Sequence, residues 1–326
     1  MNIITQIGLT IGLLLLIGLL VWQGALEVFY LLLASGWSLL LLPLIWLPSF
    51  VPVAQGWRIL LEFRQKPGFA QALLALWMGR AVNNLLPVAT IGGEIAKARL
   101  ITLWGVRGID AAASVMVDKV IQAISVVLWG LIGVCTLLSL TNNRELAMSA
   151  FIGFVILAIC AVGFLYAQKA GLLGLLSRVG GKLVKTESWE GISMNAREID
   201  AVVVEIYAHK MHVIQAIFFR TLALVLETAE VWLACLLLGH PIDMLEAVML
   251  KSLTSTLRDV AFVIPNGYGI QEGAFIVVGS LVGLDANTAL AVSLSLRIRD
   301  ILLDPAGLLT FHQIESRQLI KRRQGP

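Results

Sequence analysis

Two stretches of this chain carry the same frame of charge and backbone breaker. Arg80 is followed after six residues by Pro87, and Pro87 after six more by Glu94. Arg258, Pro265 and Glu272 repeat that spacing 178 residues later. Glycines trail each proline: Gly92 and Gly93 in the first copy, Gly267 and Gly269 in the second. A guanidinium and a carboxylate beside a broken backbone suit the capture of a charged headgroup. Arginine forks the oxygens of phosphate or carboxylate. Helix starts after each break bring free N–H groups and positive dipole ends toward an anion. The plainer reading of the glycines is that they make turns.

More charges lie in otherwise apolar sequence. Lys97 and Arg99 follow Glu94, and Asp118 with Lys119 opens the next apolar run. Glu227 and Glu230, three apart, share a helix face. Asp259 adjoins Arg258, and Lys251 precedes them. Arg297, Arg299, Asp300 and Asp304 lie deep in the last run, with Arg297, Asp300 and Asp304 on one face. A charge at the centre of a bilayer costs upward of about 2.5 kcal/mol, so such residues find partners or serve function. They either pair with one another and hold the fold in register, or they line a polar path. Their number favours the path for the set as a whole.

Catalytic groupings are poorly supported. His209, His212, His240 and His312 are scattered, and no acid–His metal motif surrounds the first two. Cys135, Cys160 and Cys235 sit in apolar runs without a CxxC spacing. Ser114, Ser125, Ser252 and Ser255 lack a strained nucleophile turn. The expectation is a chain that is not an enzyme and has no cofactor or metal.

The elements that must position these charges are membrane helices. The chain of 326 residues is 58% hydrophobic and 14% charged, with a mean hydropathy of +0.88. A soluble domain carries about a quarter charged residues. The net charge of +3 reflects loops, so it is no argument for nucleic acid. The reading is an all-α polytopic membrane protein forming one domain over 1–326. Expected spans are 3–22, 28–54, 112–140, 146–168, 213–238 and 286–311. Pro43, Pro48 and Pro52 should kink or end the second. The first 22 residues lack Lys and Arg, so they read as a retained helix rather than a secretory signal. The tryptophans, from Trp22 through Trp46, Trp57 and Trp129 to Trp232, fit an aromatic belt near span ends.

Stretches 71–101 and 244–283 are each broken by a proline and read as re-entrant hairpins. Basic stretches at 58–66, 97–107, 169–210 and 317–323 then fall on one side. Loops 23–27 and 239–243, free of Lys and Arg, fall on the other, with both termini cytoplasmic. Each half holds about three spans and one hairpin in opposite orientation, an inverted-topology repeat. The first repeat covers 1–140 and the second 146–311. Residues 169–212 form a cytoplasmic or interfacial connector, a loop with short helices, and 312–326 a basic tail. Such repeats place substrate near the midplane.

The stretch NLLPVATIGGEIAKARLI, then SVMVDKVIQ, and later IPNGYGIQEGAF, resembles the flippase-like membrane region of lysyl-phosphatidylglycerol synthases. That family shows a proline, a Gly-Gly-Glu and a basic residue, then an Asp–basic pair. Its second half carries a Pro-x-Gly-x-Gly-x-x-Glu type of motif. The matching positions here are Pro87, Gly92, Gly93, Glu94, Lys97, Arg99, Asp118 and Lys119, then Pro265, Gly267, Gly269 and Glu272. Within the superfamily the chain looks most like stand-alone members encoded with hopanoid-biosynthesis enzymes. No aminoacyl-transfer domain is expected after the last span. The resemblance implies movement of a polar-headgroup lipid between leaflets of a bacterial inner membrane, the headgroup held by the charged residues. The partners implied are a membrane lipid and enzymes of lipid biosynthesis. The alternative is a non-transporting accessory subunit that scaffolds such enzymes.

Overall fold

A computed structural model describes residues 14, 17–18, 25–86, 92–141, 144–170, 187–260 and 265–323. Most of the first expected span, Pro87 and the stretch 171–185 lie outside them. The described residues form helices and their connections, with no strand among them.

Helix α1, Ala25–Ser35, continues through a 3-10 turn, Gly36–Leu40, into α2, Leu41–Trp46. A second 3-10 turn, Leu47–Ser49, leads to α3, Phe50–Ile59. Three prolines thus kink this run without ending it. Pro43, Pro48 and Pro52 each fall in the first turn of a new helical segment. There the missing N–H costs no helix bond.

The first broken pair is α4, Phe69–Leu85, and α5, Gly92–Leu103. Helices α6, Gly108–Leu140, and α7, Arg144–Lys169, follow. The connector differs from expectation, because Glu187–Ala208 is a single 22-residue helix, α8. Ala196, Val202, Val203, Ile206 and Tyr207 are buried while Arg197 and Glu198 are exposed. That spacing gives α8 one apolar face, which packs on α6.

Helix α9, Lys210–Leu237, leads to the second broken pair, α10, Met244–Val260, and α11, Ile270–Gly279. The last helix, α12, spans Ala286–Arg323. It carries the helical path through residues read as a separate tail.

Packing is reciprocal. Helix α4 packs on α12, and α10 packs on α6. Helices α3 and α9 pack on each other, α5 on α6, and α11 on α12. Two apolar cores result. One gathers Trp57, Leu60, Leu61, Met78, Leu100, Ile121 and Ala216. The other gathers Leu42, Leu137, Val231, Leu250, Phe275 and Leu290. Helix α9 gives Ala216 to one core and Val231 to the other, so Arg220, Glu227 and Glu230 lie between them. Large apolar side chains such as Leu26, Phe29, Ile156, Ile159, Ile214, Phe218 and Ile301 face outward. Buried charge with an apolar exterior is the arrangement lipid demands.

Candidate functional site

Between the two cores lies a layer of acids and bases. Its first part joins α5, α6 and α9. Lys97 Nζ lies 2.9 Å from Asp118 Oδ2 and 2.6 Å from Glu94 Oε2, the latter an ion pair without hydrogen-bond alignment. Lys119 reaches the other Glu94 oxygen at 2.7 Å, and Arg220 reaches Asp118 Oδ1 at 2.9 Å. The Lys97 ammonium also sits 5.1 Å from the Trp57 ring centroid.

The second part joins α4, α9, α10, α11 and α12. Arg80 pairs with Asp300 and, at 3.1 Å, with Asp304. Asn84 donates to the other Asp304 oxygen at 2.8 Å. Arg299 bridges Glu230 at 2.6 Å and Asp300 at 3.0 Å. Lys251 pairs with Glu227 at 2.7 Å, and Arg258 with Asp259 at 3.1 Å. Arg297 meets Glu272 at 2.6 Å and stacks 4.5 Å from the Tyr268 centroid. Trp46 receives two guanidiniums, with Arg80 4.4 Å and Arg299 4.3 Å from its ring centroid. Each such contact contributes about 0.5–2 kcal/mol, the upper end when desolvated.

The layer balances. Its bases are Arg80, Lys97, Lys119, Arg220, Lys251, Arg258, Arg297 and Arg299. Its acids are Glu94, Asp118, Glu227, Glu230, Asp259, Glu272, Asp300 and Asp304. That is eight of each sign, and every one has an opposite charge within hydrogen-bonding range.

A small cavity opens among them, walled by Lys251, Thr254, Ser255, Arg258, Gln271 and Arg299, with Phe275 and Leu296. Its volume of about 10 Å³ admits roughly one water. Thr254 and Ser255 donate to carbonyls of their own helix, leaving oxygen lone pairs available. A larger groove of about 520 Å³, lined by Tyr30, Leu31, Ala34, His240, Asp285, Asn287 and Thr288, holds none of the layer's charges.

Several of the glycines also serve the packing of the helices. A Cβ on Gly93 would stand 2.0 Å from the Gly79 carbonyl, so the pair sets the close approach of α4 and α5. Gly93 N–H donates to Asn83 Oδ1 at 2.7 Å, and Gly269 N–H to Glu272 Oε2 at 2.8 Å. Both amides are therefore occupied within the protein. Asn266, Gly267 and Gly269 hold positive φ, a turn that Gly267 allows against the Arg258 side chain.

Residues 7–303 match the family model described as the lysylphosphatidylglycerol synthase TM region. The chain belongs to this family. With its long apolar helices Phe29–Ile59 and Gly108–Leu140, this member of the lysylphosphatidylglycerol synthase TM-region family is a membrane protein. No curated protein and no solved structure gave a significant match.

Of the residues singled out from the sequence of this family member, Arg80, Glu94, Lys97, Asp118, Lys119, Glu227, Arg258, Asp259, Glu272, Arg297 and Asp300 meet in the layer. Gly92 opens α5, and Pro265 opens a 3-10 turn before α11. Pro87 lies outside the described residues. Arg99 stands apart, paired with Glu315 at 3.1 Å. Arg297 does not share partners with Asp300 and Asp304; it turns to α11 while they turn to α4. Three of the tryptophans, Trp46, Trp57 and Trp129, are buried inside the protein. Trp46 sits mid-run between Pro43 and Pro48, a position that signals an interior role. Arg220 was missed, although a lone base within IFFRTLAL is itself a signal.

Proposed function

We propose that this protein moves a polar-headgroup lipid, a phospholipid or a hopanoid-type lipid, between the leaflets of a bacterial inner membrane. The headgroup passes through the charged layer while the acyl or ring portion stays in lipid. The observation that carries this reading is the layer of sixteen paired charges between two apolar cores, eight of them buried and eight partly exposed, next to a small polar cavity. Glue alone does not require so many buried pairs, since apolar side chains of similar volume hold helices at least as well.

We read the architecture as an inverted-topology repeat with re-entrant pairs α4–α5 and α10–α11. Reciprocal packing of α4 on α12 and α10 on α6 supports it. So does the recurrence of one ion pair: Glu94 with Lys119, and Glu272 with Arg297, each partner displaced by 178 positions. The loops rich in Lys and Arg support a cytoplasmic position for both termini. On this reading the protein is a carrier and not an enzyme.

The test is reconstitution in liposomes with lipids labelled on the acyl chain, followed by quenching of the outer leaflet. Lipid movement that is lost in Arg258→Ala and Glu272→Ala, both still inserting at normal level, is the expected result. A second reading, a non-transporting accessory subunit of lipid biosynthesis, is favoured by the cavity's small volume of about 10 Å³. It predicts no movement of any lipid and co-purification with a lipid-synthesising enzyme.

A further inference from the structure

The headgroup class follows from the charge balance of the layer, given the transport reading above. The layer holds as many bases as acids, and each is paired. A guest of net charge would leave one buried partner uncompensated, the costly outcome for an ion pair in a low-dielectric site. A guest with one charge of each sign exchanges pair for pair. The unfilled polar valences are also of both signs. Glu230 Oε1 is a buried acceptor with no hydrogen-bond partner among the described residues, and Arg297 Nη1 and Nη2 are buried donors with none. Glu230 is 0% and Arg297 9% exposed.

The cavity has the same two-sided chemistry. Lys251 and Arg258 face it, each backed by its own carboxylate, Glu227 or Asp259. These two acids keep 19% and 25% side-chain exposure, and each touches a base that walls the cavity. We infer that the substrate carries a zwitterionic headgroup, its phosphate taken by Lys251 and Arg258 and its ammonium by Glu227 and Asp259. No bond forms or breaks; four ion pairs replace two.

The test uses the full chain in liposomes with three acyl-labelled lipids: phosphatidylethanolamine, phosphatidylglycerol and a lysyl ester of phosphatidylglycerol. These carry net charges of zero, minus one and plus one. Phosphatidylethanolamine is expected to cross faster than either of the others by about tenfold. Glu227→Gln adds a net positive charge to the layer and should shift the preference toward phosphatidylglycerol. Lys251→Gln should shift it toward the lysyl ester. The double variant restores balance and should restore the preference for phosphatidylethanolamine, which guards against misfolded single variants. Equal rates for all three lipids, or a charged lipid moving fastest in the unaltered protein, overturn the headgroup assignment and leave transport standing. No movement of any lipid by folded protein overturns both.

Discussion

Arg297 Nε lies 2.6 Å from Glu272 Oε1, a carboxylate 25 positions earlier and fully buried. Lys119 stands in the same relation to Glu94, at 2.7 Å and the same separation. In each case the acid opens the helix after a break and the base comes from the next long helix. Glu272→Ala leaves Arg297 buried without its counter-charge. The expected loss of stability is about 3–5 kcal/mol. Adding Arg297→Met should recover part of it, read as a thermal unfolding temperature in detergent. Strictly additive losses in the double variant would show that the two groups do not act as a pair.

Arg80 ties α4 to α12 through Asp300 and Asp304 and lies on the Trp46 ring. A lysine keeps the charge but has no planar fork to serve two carboxylates and a ring at once. Arg80→Lys should cost about 1–3 kcal/mol, and Arg80→Ala about 3–5 kcal/mol. Unfolding in detergent orders the two; a lysine variant as stable as the original would refute the fork.

Trp46 holds two cations from opposite ends of the chain, Arg80 and Arg299. Trp46→Phe keeps a weaker ring face, whereas Trp46→Leu keeps only apolar bulk. The leucine variant should be less stable than the phenylalanine variant by about 1–2 kcal/mol. Equal stability of the two would mean that volume, and not the ring, is what the guanidiniums use.

Gly93 and Gly273 make a matched contrast. A methyl at Gly93 meets the Gly79 carbonyl at 2.0 Å, while one at Gly273 meets nothing within 4 Å. Gly93→Ala should force α4 and α5 apart and cost about 1–3 kcal/mol. Gly273→Ala, within α11, should gain up to about 1 kcal/mol of helix propensity. Unfolding temperatures that move in opposite directions are the expected outcome.

The helices were largely legible because apolar runs and charge-poor loops impose them. The layer of ion pairs was legible where charge interrupts such a run, as at Arg80, Asp118 and Glu272. Partner choice was not. Arg297 and Asp300 share a helix face by spacing, yet one turns to α11 and the other to α4, because tertiary neighbours decide which way a long side chain reaches. Trp46 and Trp57 were assigned to the lipid boundary because hydropathy does not distinguish a ring in lipid from one beneath a cation. The glycine amides pointed to a ligand by composition, and two of the four, Gly93 and Gly269, donate to Asn83 and Glu272 instead. Connector helix α8 was hidden because its charges mask a single apolar face.

Helix α12 is one rod of 38 residues, and four of the layer's bases and acids, Arg297, Arg299, Asp300 and Asp304, sit just before Pro305 within it. Beyond the proline the helix runs on to Arg323 as a lever arm of about 27 Å, at 1.5 Å per residue. A pivot of about 10° at that proline would sweep the far end by roughly 5 Å. Regrouping of ion pairs in the layer would then be written, magnified, in the position of the basic segment at the far end of the helix. A spin label near the end of α12 turns an otherwise invisible exchange of partners into a measurable distance.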